Sequence, residues 1–408
     1  MWDLLIVGGG AAGLSAAVAA ASLGDRVLVL ERMDRVGKKL LATGNGRCNL
    51  MNMLDRRYPA GETLAGAVLD QFGPRDQEAF WQWMGLRLRQ EDQGRVYPAS
   101  LQASTVLDVL RFQMERLGVQ VRCSCKVEKI WEEQGLWHAS IGDEVLSGKR
   151  LLVCGGGQAQ PKLGSNGSCY GLLQDLGLKV SGPSPALSQV ETDTRPIRGL
   201  DGIRVKSRVR VFREQKEIYS DTGEVLFTSY GLSGVCIMNA SEFCAMGKTE
   251  ISLDLLSPMG LDAARMAGEL RRRRDSWGGQ MCEQLLCGIC VPRLSMCLIK
   301  KSGIPVKADI GILTDRSLEK LVREMEDFRL CVHGIRGFDM CQVTKGGLAV
   351  SQVQPGNMEI RGKAGLHAAG EVLDVHGSCG GYNLMFAFAG GILAGLNGRS
   401  PVWKERGL

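Results

Sequence analysis

Proline is scarce, with 12 residues in 408, and no G-X-Y period runs through the chain, which excludes collagen-like and low-complexity proteins. Aromatic residues make up only 6% and do not interleave with basic runs, so no base-stacking platform for single-stranded nucleic acid is visible. The formal charge of +6 is too small to argue for a polyanionic partner by itself. Two uncharged stretches, Leu4–Gly24 and Gly377–Gly398, are long enough to span a bilayer, but glycines stud both, and no basic n-region precedes the first. They read as nucleotide-binding loops opening buried helices, so the protein is expected in the cytoplasm without membrane contact. The 14 cysteines suit a reducing compartment, because a chain of this length needs no disulfide staples. Cys282, Cys287, Cys290 and Cys297 follow the C-x4-C-x2-C spacing of one iron–sulfur pattern. Their neighbours are apolar, so they read as packing residues, and no metal site is expected.

Glycine is what the chain has in excess: 54 residues, close to twice the usual share. Asp3–Val7 reads as a buried strand, followed by G-x-G-x-x-G at Gly8, Gly10 and Gly13. Ala11 to Leu23 carries high helix propensity and Gly24 is a natural stop. A second strand, Arg26 to Leu30, ends in Glu31. In this arrangement Gly8 allows the tight turn, Gly10 lets backbone approach a pyrophosphate, and Gly13 lets the helix pack on the strand. The helix N-terminus, at Ala11 and Ala12, faces the phosphates, and Glu31 meets the ribose, with its neighbour Arg32 as a further cofactor contact.

The fingerprint alone does not separate NAD from FAD. The loop after the second strand, Val36 to Asn49, is rich in glycine, base and amide, and can run along an extended dinucleotide towards its far ring. With Gly94-Arg-Val-Tyr-Pro98, it resembles the FAD-binding oxidoreductases of BaiN/RdsA type, which include bile-acid A-ring reductases and aminoacetone oxidase-like proteins. The family pattern is close to GxKxxxSGxGRCN; Gly37, Lys39, Gly44, Gly46, Arg47, Cys48 and Asn49 match it, and Thr43 stands for the serine. The resemblance implies cofactor contacts from this loop, Lys38 and Asn45 included, and from Val127 beside the adenine.

The resemblance continues to the last helix. Leu151–Gly157 is a strand running into a glycine turn, with Gly155 and Gly156 expected at the cofactor. Position 160 is glutamine, so no second G-x-G-x-x-G forms, and no separate nicotinamide-binding domain is visible. Gly370-Glu371 matches the place of an acidic residue that holds the ribityl chain. The helix starting near Tyr382 would aim its first N–H groups, at Tyr382, Asn383 and Leu384, at the flavin's pyrimidine edge, with Gly380 and Gly381 permitting close approach. His376 stands where the family suggests an acidic residue and is a candidate proton donor, with Arg47 and Asn49 as candidates for orienting a carbonyl.

From about Ser188 to Arg336 the texture changes. Arg204, Lys206, Arg208 and Arg210 alternate with apolar or small residues, as in a half-buried strand with a basic face, and Leu261–Leu298 reads as helical, with Arg271–Arg274 as a solvated charge run. The expected architecture is α/β: a Rossmann-like FAD domain from residues 1–187 and 337–408, with an insertion of strands and helices over 188–336, helical at about 257–300. The expected function is FAD-dependent oxidoreduction with non-covalent FAD, and NAD(P)H as diffusible donor, acting on a small molecule such as an enone. An amine oxidase of aminoacetone type is the second expectation, and a flavin-containing RNA-binding or RNA-modifying protein the third. Oligomeric state leaves no signature in the sequence.

Overall fold

β1 (Trp2–Val7) is central, with Leu4, Leu5 and Ile6 wholly buried. A strand covered on both faces reads as a continuous apolar run, and such strands belong to parallel sheets. β1 pairs in parallel with β2 (Val27–Leu30) on one side and with the long strand Glu144–Val153 on the other. Gln120–Arg122 extends the sheet beyond β2, again in parallel. Glu144–Val153 divides its other edge: the first half closes an antiparallel meander with Leu136–Ile141 and Lys129–Glu133, and Leu151–Val153 pairs in parallel with Leu366–Ala368.

The two uncharged stretches become helices buried against each other. In α1 (Ala11–Ser22) every residue from Ala12 to Ala21 is buried, and eight of these ten are alanine, glycine or serine. The closing helix Tyr382–Leu396 crosses it at two glycines four positions apart. A Cβ on Gly391 would lie 2.2 Å from the Ala12 carbonyl oxygen, and one on Gly395 would lie 2.4 Å from that of Ala16. Glycine is thus spent here on backbone-to-backbone packing. No helix among the described residues is long and apolar enough to cross a membrane.

This computed structural model describes residues 1–54, 56–244 and 248–403. The chain divides into two units, Met1–Pro185 with Cys341–Leu408, and Ala186–Met340. In the second unit, six antiparallel strands close a barrel in the order 190–192, 231–233, 216–228, 204–213, 249–254 and 328–335. Val209 and Val211 of the basic strand are fully buried, while its alternate residues face outward. The stretch from Leu261 to Leu298 is two helices, Ala263–Ser276 and Pro292–Lys301, interrupted by a loop holding Gly278, Gly279 and Gly288. A third helix, Asp315–Glu326, has a legible signal: Thr314 caps it by accepting the Ser317 N–H, and Leu318, Leu321, Val322 and Met325 bury one face. Burial raises the pKa of Cys282, Cys290 and Cys297, with Cys290 at about 11, so these thiols are protonated at neutral pH.

Candidate active site

The carboxyl ends of β1, Glu144–Val153 and Leu366–Ala368 meet at one edge of the sheet, where ligands bind in open α/β folds. Three glycines of the first motif have three different physical roles. Gly8 has φ +115°, and a Cβ on it would fall 2.6 Å from the Cys154 carbonyl oxygen. A Cβ on Gly13 would fall 2.0 Å from the Gly8 carbonyl, so the helix start is pressed onto the strand end. Gly10 is the opposite case: a Cβ there would meet nothing within 4 Å. Gly10 precedes the first turn of α1, where the N–H groups of Ala11, Ala12 and Gly13 have no intrahelical acceptor. Open ground before a helix N-terminus suits an anion.

Glu31 lies at the end of β2 with 9% of its surface exposed. Its Oε2 accepts the Gly9 N–H at 2.8 Å and its Oε1 accepts the Met33 N–H at 2.8 Å. The carboxylate therefore braces the turn, and each oxygen keeps a further lone pair for a ligand hydroxyl. The segment holding Val127 comes alongside: Ser124 N–H donates to the Met33 carbonyl and Cys125 N–H to that of Glu31, at 2.7 and 2.9 Å. Val127 itself is buried.

The loop after β2 turns at Gly37 (φ +76°), forms the short helix Lys38–Ala42, then passes through left-handed Gly44, Asn45, Gly46 and Cys48. Its side chains have distinct tasks. Thr43 donates to the Leu40 carbonyl, and Lys38 pairs with Asp34. Lys39 reaches across to Glu371, Nζ to Oε2 at 2.6 Å. Arg47 lies over the Tyr97 ring at 4.3 Å and bonds Glu91 at 2.7 Å. The Cys48 thiol is wholly buried, and burial pushes its pKa up to about 12.

Glu371 Oε1 accepts the Thr344 N–H at 3.0 Å, so both carboxylate oxygens are held. Gly370 (φ +76°) places this turn against α1: a Cβ on it would lie 3.0 Å from that of Ala12. Gly155 and Gly156 end the strand Glu144–Val153, where an added Cβ would strike Cys169 Sγ (2.2 Å) or Ser165 Oγ (2.9 Å). At the closing helix, the Asn383 amide bonds both backbone groups of Gly377 at 2.8 Å, shaping the turn around the buried His376. Asn52 donates to the Gly380 carbonyl at 2.9 Å, and a Cβ on Gly381 would come 2.8 Å from Asn49 Oδ1. Tyr58 hydroxyl donates to the Tyr382 carbonyl at 2.8 Å, fixing the first turn that continues to Leu384.

Four buried polar atoms here have no hydrogen-bond partner in the protein: Arg32 Nε, Asn49 Oδ1, Ser165 Oγ and Tyr170 Oη. Leaving such atoms unsatisfied is costly, about 1–3 kcal/mol each. Unsatisfied donors and acceptors on the segments that follow Glu31, Gly46 and Gly156 fit a polar ligand held by the two glycine turns and the loop after β2. Thr344, Asn52 and Tyr170 carry no motif signal of their own as ligands, although Thr344 and Tyr170 lie within glycine-rich segments. Among the described residues no group of three or more His, Cys, Asp or Glu could hold a metal ion.

The basic segments of the second unit are largely neutralised. Arg204 pairs with Glu224, Arg208 with Glu217, and Arg210 with Asp327. The run Arg271–Arg274 is only partly a solvated face. Arg271 and Arg274 bind Asp315, Arg271 also binds Glu319, and Arg273 caps the carbonyls of Leu285 and Cys287, so the run pins neighbouring segments together.

Residues 2–397 match the HI0933-like protein Rossmann domain. The chain is 35% identical to a 3-dehydro-bile acid delta(4,6)-reductase of Clostridium scindens, over 96% of this chain and 97% of that protein. It is 27% identical to a ribosomal RNA dihydrouridine synthase of Escherichia coli, over 95% of this chain and 96% of that protein. Among solved structures, 3-ketosteroid-delta4-(5alpha)-dehydrogenase of Rhodococcus jostii aligns with 98% of this chain and 97% of its own, at 16% identity and a TM-score of 0.47. By the match along nearly its whole length, the chain belongs to the HI0933-like Rossmann family, the oxidoreductases of BaiN/RdsA type that its motifs resemble.

Proposed function

We propose that the chain is an FAD-dependent reductase that uses NAD(P)H to saturate a carbon–carbon double bond conjugated to a carbonyl, with a bile-acid or other steroid-like enone as substrate. The observation that carries this reading is the open ground at Gly10 before α1, with Glu31 bonded to Gly9 beside it and Gly370 packed on Ala12, in a chain 35% identical to a bile-acid reductase. Bound flavin supplies the hydride chemistry. Gly10 and the first turn of α1 would hold the diphosphate, and Glu31 would hold the adenosine ribose. Glu371, held by Lys39 and Thr344, offers its remaining lone pairs to the ribityl hydroxyls. The N–H groups opening the helix Tyr382–Leu396 would stabilise negative charge on a flavin ring held at that end. Arg47 and Asn49 would orient the substrate carbonyl; His376 is only 1% exposed, so the proton for the α-carbon would come from water. With no second dinucleotide motif in the sequence, NAD(P)H would have to reach the flavin directly, or electrons would arrive another way.

A second reading is uridine reduction in ribosomal RNA, favoured by the 27% identical dihydrouridine synthase. The reacting unit is similar, since the uridine double bond is also conjugated to a carbonyl. The pairing of the basic strand and the arginine run with carboxylates favours the small molecule. The test is a product assay under anaerobic conditions with NADH or NADPH, offering a 3-oxo-Δ4 steroid acid or unmodified ribosomal RNA. Gain of two hydrogens on the steroid supports the first reading. The same gain on RNA alone replaces it with the second.

A further inference from the structure

Thr344 belongs to no fingerprint glycine or acidic residue, yet it joins two sides of the cradle. Its Oγ1 accepts the N–H of Gln158 at 2.7 Å and of Ala159 at 2.9 Å, while its own N–H donates to Glu371 Oε1 at 3.0 Å. Both hydroxyl lone pairs are therefore taken by the glycine turn after Glu144–Val153, and the backbone of the same residue aims the carboxylate at the end of Leu366–Ala368. Thr344 and Ala159 are both wholly buried, so water does not replace these bonds. Contact is tight: a Cβ on Gly157 would lie 2.4 Å from Thr344 Oγ1 and 2.9 Å from Glu371 Oε1.

We propose that Thr344 is a positioning residue of the dinucleotide site, holding the 157–159 turn and the Glu371 carboxylate in one fixed relation at the ribityl half of the cofactor. This inference rests on the flavin reading. Valine at this position keeps the shape and the N–H to Glu371 but removes the acceptor of two buried N–H groups. Serine keeps the acceptor.

The experiment compares FAD affinity by flavin fluorescence, and ADP affinity by competition with FAD, for the parent, Thr344→Val and Thr344→Ser. ADP probes the adenosine half near Glu31, which Thr344 does not touch. The valine variant should bind FAD about ten- to a hundredfold more weakly, through lost hydrogen bonding at buried N–H groups, with ADP affinity within about threefold of the parent. The serine variant should return FAD affinity to within about threefold. The proposal is overturned if valine leaves FAD affinity unchanged, if FAD and ADP weaken equally, or if serine fails to rescue. Failure of the parent itself to bind FAD is a different result, which removes the flavin reading.

Discussion

Lys39 Nζ lies 2.6 Å from Glu371 Oε2, so the loop after β2 and the turn after the last parallel strand, 332 positions apart, share one ion pair. Both side chains are mostly buried, at 24% and 20% exposure, where such a pair is screened less than on an open surface. If the pair shapes the site for the ribityl chain, Lys39→Met and Glu371→Gln should each weaken FAD binding. A double-mutant cycle on FAD affinity should then give a coupling of about 0.5–3 kcal/mol. Strict additivity would separate the two residues.

Gly10 and Gly13 predict opposite phenotypes from the same substitution. Gly10→Val places its side chain in open ground, so the protein should keep the thermal stability of the FAD-free parent but lose FAD binding. Gly13→Val drives a side chain into the Gly8 carbonyl and should lose stability whether or not FAD is present. Thermal unfolding and FAD titration separate the two, and a Gly10→Val protein that still binds FAD would show the motif has been misread.

Cys48 is the one thiol of the cofactor loop, and burial that holds its pKa near 12 keeps it protonated and shielded at neutral pH. FAD should therefore be released into the supernatant by acid precipitation. Yellow colour remaining in the pellet would mean a covalent bond.

His367 should make stability depend on pH. Its Nδ1 lies 2.9 Å from the Asn357 carbonyl, its Nε2 is buried without a partner, and burial lowers its pKa from 6.5 to about 4. A depressed histidine pKa means the folded state prefers the neutral ring. Its contribution is complete above the unfolded pKa of 6.5 and declines as pH falls towards 4. Between pH 7 and pH 4.5 this group should remove about 2–3 kcal/mol of stability. Chemical denaturation should show a shallower acid decline for His367→Gln; identical slopes would remove His367 as the cause.

The local parts of this site are legible in sequence because one stretch of chain supplies them. The strand, glycine turn and helix over residues 2–22 and the acidic end of β2 follow from spacing alone, and the structure adds only their separate steric reasons. Glu31 is the instructive case: spacing marks it for a ribose, but not that it already accepts two N–H groups of its own turn. Lys39 with Glu371, and Thr344 with Gln158 and Ala159, are contacts between distant segments, which depend on strand order rather than on local pattern. The run Arg271–Arg274 reads as a solvated face for the same reason. Its partners Asp315 and Glu319 lie on a helix some forty residues later.

The most direct measurement is anaerobic mixing of the FAD-reconstituted protein with NADH or NADPH, followed by a 3-oxo-Δ4 steroid acid. The yellow absorbance is expected to fade with one of the nicotinamides and to return when the enone is added, with the saturated ketone as product. A protein that takes up no FAD, or whose bound flavin neither nicotinamide bleaches, would contradict the proposed reductase.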